Sequence, residues 1–96
     1  MLDFYLIPDE LPKPNSPGKL EYLAGLDHAT YDRLVGKGFI DPRFDFFTDF
    51  RWEFRLVKQM YLKVVGVNTL DTDVKKLENL LRRAFDKGQG VMAYCD

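Results

Sequence analysis

The sequence predicts an α+β domain in which three helices pack on a small sheet formed by the N- and C-terminal strands. Two observations support this class. Residues 49–65 and 72–87 have apolar side chains at helical spacing, and both ends of the chain are short apolar segments of the kind that form strands. A length of 96 residues, with 46% hydrophobic and 30% charged residues, is typical of a single globular domain spanning 1–96.

Both ends of the chain have the composition of strands. Residues 2–7 are apolar and aromatic and end at Pro8, which cannot donate a hydrogen bond to a sheet. Residues 91–95 alternate, with Val91, Ala93 and Cys95 on one side and Met92 and Tyr94 on the other. Because an isolated strand is not stable, we expect the two ends to pair, and residues 20–23 are a candidate for a third strand.

The segment 8–19 is a connecting loop, either ordered or a mobile flap. It is rich in residues that neither a helix nor a central strand accepts, namely Pro8, Pro12, Pro14, Asn15, Ser16, Pro17 and Gly18. Residues 14–17 match the P-x-x-P pattern that binds aromatic grooves in a polyproline conformation. One such match in a segment rich in turn residues is a weak signal, so we interpret the segment as a loop.

A first helix is predicted over residues 28–36. Asp27 fits the N-cap position, because its carboxylate can accept a hydrogen bond from an unpaired backbone N–H of the first turn. Tyr31, Leu34 and Val35 then form an apolar stripe that faces the core.

A third helix is predicted over residues 72–87. Residues 68–72 supply candidate N-caps, Glu78 and Arg82 form an i,i+4 ion pair, and Gly88 stands where a left-handed residue ends a helix. The predicted buried face consists of Val74, Leu77, Leu80, Leu81, Ala84 and Phe85.

A second, central helix is predicted from residue 48 or 49 to about residue 65. Its apolar stripe, at i, i+4, i+7, i+11 and i+14, consists of Phe50, Phe54, Val57, Tyr61 and Val64. Arg51, Arg55 and Lys58 lie together on the opposite face. Asp45 and Asp49 precede the helix, where the positive end of its dipole favours carboxylates.

Residues 44–52 hold more aromatic rings than one helix face buries. One interpretation is that the segment is core, covered by residues 8–19 and the first helix; the other is that the surplus forms a surface for a protein partner or a second copy. The candidate interface consists of Phe46, Phe47, Arg51, Trp52 and Arg55. If this surface binds a partner, we expect Trp52 to lie at the flank of the helix with appreciable solvent exposure.

The sequence offers no catalytic, metal-binding or cofactor-binding residues, and we expect a protein that is not an enzyme. The single histidine, His28, and the single cysteine, Cys95, are too few for a zinc site and are the only conceivable cysteine dyad. Asp41, Asp45 and Asp49 lack the glycine and the terminal glutamate of a calcium loop. The two G-x-G motifs at 36–38 and 88–90 follow helices, unlike dinucleotide-binding motifs.

Charge and cysteine content limit the partners and the compartment. A net charge of −1 provides no general field toward nucleic acid or an anionic membrane. A single cysteine favours a reducing compartment, so we expect a cytoplasmic protein. No stretch approaches the ~20 apolar residues that span a bilayer, so we expect no membrane segment.

The exposed side of the third helix is the basis of an alternative hypothesis, a nucleic-acid-associated accessory protein. Its candidate phosphate-contacting residues are Lys75, Lys76, Arg82, Arg83 and Lys87. A nucleic-acid partner is disfavoured because the chain is slightly acidic overall, contains no known reader motif, and has charged helix faces of an ordinary kind.

Three short segments resemble a group of small uncharacterised bacterial proteins of about the same length. The similar segments are Asp3-Phe4-Tyr5-Leu6-Ile7-Pro8 with Pro12-Lys13-Pro14, then Asp49-Phe50-Arg51-Trp52, then Thr72-Asp73-Val74. The resemblance implies a bacterial stand-alone domain and brings no activity, cofactor or site residue. The leading hypothesis is a non-enzymatic protein-binding module, of which a small bacterial inhibitor or immunity-like protein is one form.

Overall fold

The computed structural model describes residues 1–67 and 70–95 and confirms the α+β class. Asn68 and Thr69, two of the candidate caps, lie outside the described residues, as does Asp96. In chain order the elements are β1 (Leu2–Ile7), β2 (Tyr22–Leu26), α1 (His28–Gly36), β3 (Phe50–Trp52), α2 (Phe54–Val65), α3 (Thr72–Lys87) and β4 (Gly90–Cys95).

The sheet is antiparallel, with the strand order β2-β1-β4-β3. The predicted pairing of the two chain ends is confirmed: β1 and β4 pair from Leu2 opposite Cys95 to Ile7 opposite Gly90. The candidate third strand, predicted at residues 20–23, forms slightly later in the chain as β2, which pairs with β1 and contains a bulge between the partners of Phe4 and Tyr5. The terminal strands are therefore the centre of the sheet, and each covers one edge of the other.

The sheet and the helices share one apolar core. β1 contributes Leu2, Phe4 and Leu6 to it, and β4 contributes Val91 and Ala93, in agreement with the predicted alternation of β4. The predicted face of α3 is confirmed for Val74, Leu77, Leu80, Leu81 and Ala84, which are buried, whereas Phe85 is only partly buried. Gly88 ends α3 with φ of 64°, a left-handed conformation that glycine adopts without strain.

The predicted start of the central helix is wrong. α2 begins at Phe54, and Phe50–Trp52 forms the edge strand β3 against β4. Phe50 and Trp52 lie on the core side of the sheet, whereas Arg51, opposite Met92, lies on the other side. The position of Phe50 in the sequence is compatible with both a helix and a strand. The segment forms a strand because the edge of β4 offers backbone hydrogen bonds to it.

The later start of α2 also changes the role of the preceding carboxylates. Asp49 does not stand at the end of a helix dipole; its Oδ1 accepts a hydrogen bond from the backbone N–H of Cys95 at 2.9 Å, and its Oδ2 lies 3.4 Å from Lys13 Nζ. Asp45 accepts a hydrogen bond from the backbone N–H of Phe47 at 2.9 Å. Both carboxylates therefore stabilise the loop between α1 and β3 and its junction with the sheet.

The Pro-rich segment 8–19, here called the strap, lies against the outer face of the sheet. Ile7, Met92 and Tyr94 are buried on this face, and the hydroxyl of Tyr94 donates a hydrogen bond to the carbonyl of Pro14 at 2.8 Å. Arg51 fixes the near end of the strap, because its Nη atoms donate to three strap carbonyls. The acceptors are Leu11 at 2.7 Å, Pro8 at 2.7 Å and Asp9 at 3.0 Å.

The strap also caps α2. Glu53, the N-cap residue, makes no side-chain capping bond, and Asp9 Oδ1 accepts the backbone N–H of Phe54 at 2.9 Å instead. This close approach requires glycine at residue 90, because a Cβ there would lie 2.5 Å from the carbonyl oxygen of Trp52 and 3.0 Å from Asp9 Oδ1. The strap, β3, β4 and the start of α2 therefore meet at one junction.

A polar clamp joins α1 to the start of α3. Arg33 of α1 makes two hydrogen bonds with the carboxylate of Asp73, from Nε at 2.6 Å and from Nη2 at 3.2 Å. Asp71 is the N-cap of α3 and forms an ion pair with Lys37. The hydrogen bond from Arg33 lowers the pKa of Asp73 below its ordinary value, and that from Lys37 lowers the pKa of Asp71.

We expect Arg51→Lys to destabilise the protein by about 2 kcal/mol, because an ammonium cannot reproduce the planar fork that serves three carbonyls. Urea unfolding monitored by circular dichroism measures the change. The matched control is Arg55→Lys, an exposed position on α2, where we expect a change within about 0.5 kcal/mol. Equal unfolding midpoints for the two variants would show that the strap contributes little to stability.

The depressed pKa of Asp73 predicts a pH dependence of stability. Ionised Asp73 contributes to the free energy of unfolding at pH values above the ordinary carboxyl pKa near 4. This contribution is lost as the pH falls through the lower pKa that Asp73 has in the folded state. We expect Asp73→Asn to have a lower urea midpoint than the wild type at pH 7, and this difference in midpoint to narrow as the pH falls below about 4. Urea midpoints at a series of pH values measure this, and a constant difference would contradict the assignment.

Candidate functional site

Trp52 is a core residue, and the expectation that it lies exposed at the flank of a helix is wrong. Its side chain is 0% exposed and packs against Phe4 and Phe50 at ring distances of 5.3 and 5.6 Å. The cause is the change of element, because alternation along β3 turns Trp52 to the core together with Phe50. Trp52 therefore offers no surface to a partner of the folded chain.

Phe46 and Phe47 have opposite environments. Phe46 is buried between the rings of His28, at 4.9 Å, and Tyr31, at 5.5 Å. Phe47 is 65% exposed, with one side against the ring of His28 at 5.1 Å. Burial raises the pKa of Tyr31, whose hydroxyl donates a hydrogen bond to the carbonyl of Phe44. Of these two phenylalanines, Phe47 is the one that a partner can contact.

Arg51 and Arg55, the remaining predicted interface residues, line one cleft. This basic cleft has a volume of about 610 Å³. It lies between the loop that precedes β3, β3 itself and the first turns of α2. Its lining residues are Arg43, Phe44, Arg51, Glu53, Arg55, Leu56 and Gln59.

An apolar cleft of about 380 Å³ adjoins the basic cleft. The two share Phe44, Leu56 and Gln59, so they form one continuous surface, here called the groove. The other residues of the apolar cleft are Val35, Gly38, Phe39, Ile40, Asp41, Pro42, Met60 and Lys63. The groove thus runs along α2, with guanidinium groups at one end and apolar side chains at the other.

Phe44 stands at the centre of this surface. It is half-buried, packs against Phe50 at 5.3 Å and carries the guanidinium of Arg43 over its ring at 4.8 Å. It also borders a further cleft of about 360 Å³ that holds His28 and Phe47. Of the predicted interface residues, Arg51 and Arg55 therefore lie together in the basic cleft. Phe47 lies in the further cleft, on the other side of Phe44.

The sequence interpretation missed the groove residues Arg43, Leu56 and Gln59. An arginine beside a phenylalanine directly after Pro42 is a usable signal for Arg43, because arginine and aromatic residues are typical of binding surfaces. No comparable signal marks Leu56 or Gln59. Their place in the groove depends on the packing of α2 beside a loop that is distant in sequence.

Two of the basic residues of α3 contact neighbouring elements, Arg82 on the side of α2 and Arg83 on the side of β2. Arg82 forms an ion pair with Glu78 and a hydrogen bond with the hydroxyl of Tyr61 on α2. Arg83 donates to the carbonyl of Leu23 at 2.9 Å, on the opposite flank, and so covers part of the edge strand β2. Within residues 1–67 and 70–95, no carboxylate lies at ion-pair distance from Lys75, Lys76 or Lys87.

The described part of the chain holds no group of three His, Cys, Asp or Glu side chains able to bind a metal ion. None of the helices in that same part is long and apolar enough to cross a membrane. Comparison of the chain with protein-family models, curated proteins and solved structures found no match.

We expect the fluorescence of Trp52, the single tryptophan, to resist quenching by acrylamide in the folded monomer, because the ring is fully buried. The control is the double variant Trp52→Phe/Phe47→Trp, whose indole stands at an exposed position and should be quenched readily. Unfolding in urea should abolish the difference in acrylamide quenching between the two proteins. Equal quenching constants for the two folded proteins would show that Trp52 is open to solvent.

Proposed function

We propose that this chain is a non-enzymatic protein-binding module that holds part of another protein in the groove. The observation that carries the proposal is the combination of Arg43, Arg51 and Arg55 with the half-buried Phe44 and Leu56 on one surface. Protein interfaces are enriched in arginine and aromatic side chains, and the residues that dominate binding are commonly of these types.

The chemistry of the groove favours binding over catalysis. Its acidic side chains are Glu53 in the basic cleft and Asp41 in the apolar cleft, and its lining includes no histidine, cysteine, serine or threonine. A serine, threonine or cysteine nucleophile with an adjacent histidine base is therefore missing from the lining. A protein that acts by occluding another protein needs a complementary surface and no such group.

A bacterial inhibitor or immunity-like protein is the form of this function that we propose, because such a role needs a complementary surface and no catalytic group; the sequence resemblance described above adds only the bacterial origin. A cytoplasmic location belongs to the same proposal, because a single cysteine suits a reducing compartment. The partner can also be a second copy of the chain, in which case the exposed Phe47 beside the groove would be covered in the dimer.

The second candidate function, contact with nucleic acid, is supported by Lys75, Lys76 and Lys87, which are exposed on α3. It is the weaker candidate, because Arg82 and Arg83 are already engaged with Glu78 and with the backbone of β2. Phosphate binding would have to compete with these contacts or rely on the three lysines.

Site-specific photocrosslinking in the producing cells tests the proposed function. We expect a benzophenone side chain at Gln59, exposed in the groove, to crosslink to one defined protein. The same group at Lys58, the preceding residue of α2 and outside the groove lining, is the matched control. A product of twice the chain mass would identify a second copy as the partner.

The outcome that would overturn the proposal is equal crosslinking from Gln59 and Lys58, or no protein adduct from either. A benzophenone at Lys75 tests the second candidate. Adducts with nucleic acid from Lys75, in the absence of protein adducts from Gln59, would favour the nucleic-acid function.

A further inference from the structure

The basic cleft carries a local excess of positive charge. Three arginines, Arg43, Arg51 and Arg55, line it together with one acidic residue, Glu53. The chain as a whole has a net charge of −1, so this excess is a local property of the cleft. Charges concentrated in a concave surface attract ligands of the opposite sign more strongly than the same charges spread over a convex one.

Little of this charge is neutralised inside the protein. The described residues place no carboxylate within ion-pair distance of Arg55 or Arg51, and the hydrogen bonds of Arg51 go to neutral carbonyls of the strap. Arg43 pairs with Asp41 at 3.5 Å, but both side chains are more than half exposed. An exposed pair of this kind is weak and can exchange partners at little cost.

The apolar cleft selects among anionic ligands. It holds Val35, Phe39 and Met60 and adjoins the basic cleft through their shared residues Phe44, Leu56 and Gln59. Its one lysine, Lys63, donates to the carbonyl of Gly38 at 2.6 Å. A nucleic-acid strand would bring further phosphates toward this end, where the charges of Lys63 and Asp41 offset each other and Val35, Phe39 and Met60 offer no side-chain hydrogen-bond donors. A peptide can instead combine carboxylates with an apolar side chain, which matches both ends of the groove.

From this arrangement, we propose that the groove binds an acidic segment of a partner protein, with carboxylates at Arg43 and Arg55 and a following apolar side chain beside Phe39 and Met60. The inference rests on the proposed function and names the chemistry of the partner. Carboxylates suit the guanidinium groups because the two can form paired, charge-assisted hydrogen bonds.

Titration of the ¹⁵N-labelled protein with a blocked peptide of three glutamates followed by leucine and phenylalanine tests the inference. We expect shifts of the backbone amides of Arg43, Arg55, Gln59 and Met60. The peptide with three glutamines in place of the glutamates should bind about tenfold more weakly or worse, because it lacks the charges. The affinity of the glutamate peptide should fall as salt is added.

Two variants locate the contact. We expect Arg55→Gln to weaken binding of the glutamate peptide about fivefold, the value of a favourable exposed ion pair. Lys58→Gln removes the same charge from the same helix outside the groove and should leave the affinity unchanged. The amide spectrum of each variant shows directly that it is folded.

Three outcomes would overturn the inference. They are equal affinities for the glutamate and glutamine peptides, an equal loss of affinity in the Arg55→Gln and Lys58→Gln variants, and no binding of either peptide. Inorganic phosphate and a single-stranded oligonucleotide are titrated as further arms. Shifts of the groove amides by either one that match those from the glutamate peptide would overturn it in favour of a general anion site. A specific protein crosslink from Gln59 with no peptide binding would refute the acidic partner and leave the proposed function standing.

Discussion

The guanidinium of Arg51 joins the strap to the edge strand β3, and the strap in turn caps the start of α2. Its rigid, planar fork of N–H donors serves the carbonyls of Pro8, Asp9 and Leu11 at once. With the strap fixed, Asp9 reaches the first backbone N–H of α2 at Phe54. The strap that Arg51 holds thus caps the first turn of the helix that forms one wall of the groove.

Most of the fold could be predicted because its signals are local. Asp27 caps α1, Gly88 ends α3, and the alternation of β4 follows directly from Val91 onward. β3 could not be predicted in the same way, because it is only three residues long and Phe50 also continues the helical stripe of α2. The deciding factor was the open edge of β4, about forty residues further along the chain, and no local pattern reports it.

The candidate site was harder to predict than the fold for a related reason. The surplus of aromatic rings in residues 44–52 is explained mainly by β3, which buries Trp52 and half-buries Phe50, and by α1, which covers Phe46. What remains on the surface is Phe47 and part of Phe44. Arg51 and Arg55 were identified, although as neighbours on a helix face; they meet instead because β3 leads directly into α2.

The basic cleft is in part a consequence of how the strap is held. Because the acceptors of Arg51 are neutral carbonyls, its positive charge is used for structure without being cancelled, and it adds to those of Arg43 and Arg55 at the cleft. A carboxylate in place of those carbonyls would have fixed the strap and removed the local excess of charge. The choice of acceptor therefore links the stability of the sheet's outer face to the electrostatic character of the groove, and a ligand that brings a carboxylate into the cleft would stabilise the folded state by mass action.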